Sequence, residues 1–75
     1  MLTTYPTKGD LVKLPQATVV LKKPSETEAG LVYAEIIDKP VFAIYLEQYT
    51  DNVSRLVVED KIRYVHTEHL HDVGA

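Results

Sequence analysis

Val53-Ser54-Arg55-Leu56-Val57-Val58-Glu59-Asp60-Lys61-Ile62-Arg63-Tyr64-Val65-His66 is the stretch on which the fold turns. Two runs rich in β-branched residues, Val53–Val58 and Ile62–His66, flank a tight polar turn at Glu59-Asp60-Lys61. That is the spacing of a β-hairpin, even without the Asn-Gly or Asp-Gly pair that such turns prefer. Asp60 is the residue expected to take the left-handed conformation there, since a short polar side chain tolerates it best.

Working towards the N-terminus, Val41–Gln48 is the longest apolar strand, entered through Asp38-Lys39-Pro40 and left through the turn Tyr49-Thr50-Asp51-Asn52. Period-2 alternation puts Phe42, Ile44 and Leu46 on one face and Val41, Ala43 and Tyr45 on the other, and both faces look buried. Further upstream, Asp10–Leu14 is launched by Gly9 and stopped by Pro15, and Ala17–Lys22 is closed by Pro24; proline cannot donate to a ladder. Leu31–Asp38 is ambiguous: Ser25 and Glu28 have the spacing of a helix capping box, leaving open a helix that starts there and runs on to Ile37. Gly30 and the β-branched Val32, Ile36 and Ile37 favour an irregular or extended arm instead. Beyond the hairpin, Thr67-Glu68-His69 is too short and polar for a strand, and Leu70–Val73 resumes one.

Ten valines, four isoleucines and seven threonines in 75 residues suit pleated, half-buried surfaces. A chain of this length buries only about 60% of its unfolded surface, enough for a single domain over residues 1–75 with one core. A net charge of −3 is the wrong sign for neutralising phosphates, so nucleic acid is not an expected partner. The absence of cysteine excludes disulfides and thiolate metal sites. No charged segment leads into an apolar run at the N-terminus, and no run approaches the length of a bilayer span, so neither secretion by signal peptide nor membrane insertion is expected.

Lys8-Gly9-Asp10-Leu11-Val12 resembles the opening strand of SH3-like barrels, and Tyr64-Val65-His66-Thr67-Glu68-His69-Leu70 resembles their penultimate strand, one-turn 3₁₀ helix and final strand. The resemblance implies an all-β fold, a small five-stranded SH3-like barrel with a long irregular arm or loop between the early strands. Gly9–Gln16, the Asp38-Lys39-Pro40 entry and the closing hairpin to Tyr64-Val65 are also similar to small barrel proteins encoded by tailed phages of marine and cyanobacterial hosts. This similarity implies a virion or host-cytoplasm setting. Polyproline recognition is not implied, because the chain lacks tryptophan and the aromatic signatures of such grooves.

The functional expectation is a non-enzymatic protein-binding module: an accessory or virion-associated structural or adaptor protein, partnered by virion proteins or by itself as a homo-oligomer. Its alternatives are a regulator of one host protein and a metal-dependent or nucleic-acid-binding small barrel. No catalytic residue and no cofactor are expected. Ser25 and Ser54 stand in no nucleophile motif, and Gly9, Gly30 and Gly74 form no phosphate loop. The candidate partner surface is the apolar patch Tyr33, Val41, Ala43 and Tyr45, with Glu26 and Glu28 on an acidic loop tip. His66, His69 and His71, close to Glu68 and Asp72, are candidate metal ligands or a pH-sensitive contact.

Overall fold

In a computed structural model, residues 2, 4–22 and 34–73 are described. Their centre is the expected hairpin: β5 (Val53–Val58) pairs with β6 (Lys61–His66) in unbroken register from Val53 opposite His66 to Val58 opposite Lys61. The turn is one residue tighter than anticipated, because Lys61 already belongs to β6. Both Glu59 (φ 51°) and Asp60 (φ 67°) are left-handed, not Asp60 alone. Positive φ at both central positions is the type I′ geometry, whose twist matches that of the flanking strands. A β-carbon there costs about 1 kcal/mol per residue. Replacing Glu59-Asp60 by Asn-Gly is therefore expected to stabilise the fold by about 1 kcal/mol, measured as a higher denaturation midpoint in urea.

Four further strands complete the sheet: β1 (Leu11–Leu14), β2 (Val19–Leu21), β3 (Ala34–Ile36) and β4 (Val41–Gln48). All pairings are antiparallel, in the order β1-β4-β5-β6-β2-β3. Among the described residues the protein is thus all-β, with six strands where five were expected. The extra one is β3, in the segment whose helical alternative had been open. Across β2 it places Val19 opposite Ile36 and Val20 opposite Glu35. Residues 31–33 of that segment, with the loop 24–30, lie outside the described residues.

The strand order forces the sheet to curl. β1 and β2 lie four strand spacings apart, about 19 Å if flat, yet the five-residue step from Leu14 to Val19 reaches at most about 17 Å. The link is drawn tighter still, since the Thr18 amide and hydroxyl both donate to the Pro15 carbonyl, at 3.2 and 2.6 Å. Left-handed Ala17 (φ 72°) completes the bend. The result is a small barrel-like sheet. Inside it, Val12, Leu14, Val20, Ala43, Tyr45, Leu56, Val58, Val65 and Leu70 form one core cluster.

Two expectations about the strands change. Leu70–Val73 does not form a terminal strand: it keeps a single bridge, in which His71 and Lys13 exchange backbone hydrogen bonds of 2.9 and 3.0 Å. The chain turns at Val73, so pairing cannot extend along β1. In β4, only one face is covered. Ala43 and Tyr45 enter the core, whereas Phe42 and Ile44 are 56% and 43% exposed. Nothing among the described residues forms a second layer over the sheet, so an apolar residue on its outer face stays at the surface.

Candidate functional site

Strand register decides what the outer face presents. Leu11 of β1 stands opposite Ile44 of β4, Ile44 opposite Val57 of β5, and Val57 opposite Ile62 of β6. Four aliphatic side chains therefore line up across four adjacent strands. Leu11, Ile44 and Ile62 are exposed and Val57 is half-buried. Phe42, two residues along β4 from Ile44 and opposite Lys13, widens the row. Cross-strand neighbours on one face sit about 5 Å apart, close enough to form one continuous apolar surface.

Charges flank this row on both sides. Lys13 projects beside Phe42, on the opposite face from buried Val12 and Leu14, and the Glu59-Asp60 turn closes that end of β5 and β6. On the other side, Glu47 and Arg55 are register partners joined by an ion pair of 2.6 Å. The pair is possible because of a β-bulge: the register jumps from Tyr45 opposite Leu56 to Glu47 opposite Arg55, leaving Leu46 as the extra residue. Beyond the bulge the faces of β4 exchange, so Glu47 points outward and Gln48 turns towards Tyr45.

Gln48 thereby organises a polar cluster at the edge of the core. Its Oε1 accepts from the Tyr45 hydroxyl at 3.1 Å and from Ser54 Oγ at 3.0 Å. Its Nε2 donates to the Thr50 carbonyl at 2.8 Å and to Thr67 Oγ1 at 2.7 Å. Ser54 Oγ and Thr67 Oγ1 are 2.6 Å apart, closing the ring. Burial pushes the Tyr45 pKa up from its ordinary value, the Ser54 hydroxyl draws it partly back, and nearby Glu47 adds to the rise. Tyr45 is thus a neutral donor, and the hydrogen-bond partners of Ser54 are an amide and a hydroxyl, neither of them a base. The sequence gives no sign of this cluster, because only the bulge at Leu46 brings Tyr45 and Gln48 to one side.

Thr67 also contributes to an open cleft of about 710 Å³, bounded by Tyr5, Asp51, Asn52, His66 and Glu68 as well. His66, at the end of β6, and His69, in the 3₁₀ turn Thr67–His69, meet edge to face with ring centres 5.8 Å apart. His71 follows two residues later, its backbone paired to β1. The three histidines are therefore not gathered at one point, and among the described residues no group of three or more His, Asp or Glu side chains is placed to hold a metal ion.

Three residues of the expected patch are not exposed. Val41 is half-buried, and Ala43 and Tyr45 are core residues, so the face that a partner can reach is the opposite one, carrying Phe42 and Ile44. The cause is the pairing with β1: Ala43 stands opposite buried Val12, which fixes that face inward. Tyr33, Glu26 and Glu28 lie outside the described residues. Glu35 is bound to Arg63 at 3.1 Å and lies 3.9 Å from Lys22. Among the described residues, no helix is long and apolar enough to cross a membrane. Compared with known protein families, curated proteins and solved structures, the chain matches none.

Proposed function

We propose that this chain is a non-enzymatic protein-binding module that docks through the outer face of β1, β4, β5 and β6. Its role is that of an accessory or adaptor component in a larger assembly, of which a phage particle is the kind suggested by the sequence resemblance. The observation that carries the reading is the in-register row Leu11, Ile44, Val57 and Ile62, widened by Phe42. Leaving so many aliphatic groups in water across four strands confers nothing on the isolated fold, whereas covering them on docking is favourable by about 25 cal/mol per Å². The meander β4-β5-β6, the 3₁₀ turn and the return of His71 to β1 also support the likeness to SH3-like barrels.

Ile44→Lys tests this reading, because it puts a charge at the centre of the row without touching the core. Tagged wild type and variant serve as baits in an extract of the source system, and captured proteins are identified by mass spectrometry. The expected result is stoichiometric capture of a defined protein, another copy of the chain included, by the wild type and at least about tenfold less by the variant. Folding stability should remain within about 1 kcal/mol. Equal capture by both baits would exclude the outer face as the docking surface.

A further inference from the structure

We infer that the occupant of the outer face is a second copy of this chain, related by a two-fold axis that runs parallel to the strands between β4 and β5. The inference rests on the docking role proposed for that face and adds the identity of the partner. Two sheets packed face to face keep their strands within about 30° of parallel and lie about 10 Å apart. Such an axis meets that geometry by laying β4 over β5 of the second copy and β1 over its β6. Residue rows are preserved while columns are exchanged.

The register then fixes what meets what. Ile44 lies over Val57 of the second copy, and further out, where the sheet curls away, Leu11 faces its Ile62, so the apolar row meets its own counterpart most closely at its centre. On one side of the row, Lys13, opposite Phe42 on the next strand, comes over the turn that holds Asp60 of the second copy. On the other side, Glu47 comes over Arg55 of the second copy, adding an intermolecular attraction to the pair each chain already makes. By symmetry each contact occurs twice, as in any isologous interface. A partner of a single charge sign would be repelled by half of these flanking groups. The chain's own face brings opposite charges together at all four positions, which is the electrostatic complementarity that selects a partner.

The contact is small, because the sheet curls away from β4 and β5 on both sides. Four strand widths by three residue rows amount to at most about 400 Å² per chain, no more than half of the roughly 800 Å² per partner in a standard interface. The dimer is therefore in rapid exchange with monomer, and its population rises steeply between about 20 µM and about 1 mM.

Sedimentation equilibrium over that range tests the proposal. The wild type is expected to shift from monomer mass towards dimer mass, and Ile44→Lys to stay monomeric. Lys13→Glu places a carboxylate over Asp60 twice and should weaken association about tenfold. Adding Asp60→Asn, which asparagine's tolerance of positive φ permits, should recover most of that loss. A wild type that is monomeric at about 1 mM, or a dimer unchanged by Ile44→Lys, overturns the second copy as occupant. The docking role is judged separately: a monomeric wild type whose capture of a different protein is abolished by Ile44→Lys keeps that role and loses only this inference.

Discussion

Leu70→Ala is expected to remove about 3 kcal/mol of stability, enough to leave a large fraction of so small a domain unfolded at 37 °C. Leu70 has no accessible surface, although it belongs to no strand and directly follows the 3₁₀ turn. It joins Val12, Leu14 and Val65 in the core cluster, tying the last part of the chain to β1 and β6. Truncation loses the transfer energy of three carbons and leaves a cavity. The Lys13–His71 bridge is one residue away, too short by itself to hold the segment in place. Val73→Ala serves as the contrast, since Val73 is 46% exposed and its change should stay within about 0.5 kcal/mol. Urea unfolding of the three proteins gives the comparison, and amide exchange at Lys13 and His71 should accelerate in the Leu70 variant. A loss below 1 kcal/mol would mean that the C-terminal segment contributes little to the core.

The positions of β1, β4, β5 and β6 were legible in the sequence. The strand ends are punctuated by Gly9-Asp10, Pro15, Pro40, the polar turn 49–52 and Glu59-Asp60, each of which limits pairing for a local reason. The facing of β4 was not legible. From Val41 to Leu46 every residue is apolar or tyrosine, so alternation offers no contrast from which to choose an inner face. The choice is made non-locally, by pairing Val12 with Ala43 and Leu56 with Tyr45. That is why the candidate surface was placed on Ala43 and Tyr45 while the exposed row lies on Phe42 and Ile44.

β3 was legible only as an irregular or extended arm, without its pairing, for a related reason. Ala34-Glu35-Ile36 alternates but lacks the length of an independent strand, and its partner Val19–Leu21 is equally short. Each is held by what lies beside it: Leu21 pairs with Tyr64 of β6, and Arg63 reaches across to Glu35. A sequence window of a few residues carries no record of such lateral support.

Gln48→Leu, the second large effect, is expected to cost about 2 kcal/mol while adding apolar volume of similar size. Leucine cannot replace the amide at any of its four contacts: Tyr45 OH, Ser54 Oγ, the Thr50 carbonyl and Thr67 Oγ1. Ser54 and Thr67 retain each other at 2.6 Å, so the burden falls on the Tyr45 hydroxyl and on the Thr50 carbonyl, which sits in the turn between β4 and β5. Tyr45 is nearly fully buried and neutral, and a buried donor without an acceptor costs about 1–3 kcal/mol. Removing the hydroxyl as well should return part of that loss, because deleting both partners leaves no orphan. Tyr45→Phe combined with Gln48→Leu is thus expected to be less destabilised than the sum of the single changes by about 1 kcal/mol, measured by a double-mutant cycle in urea. Strict additivity would show that water already satisfies Tyr45 and that the bulge at Leu46 only redirects Gln48. The expected coupling would mean instead that the bulge is there to aim one amide at the core, leaving Glu47 on the outer face beside Arg55.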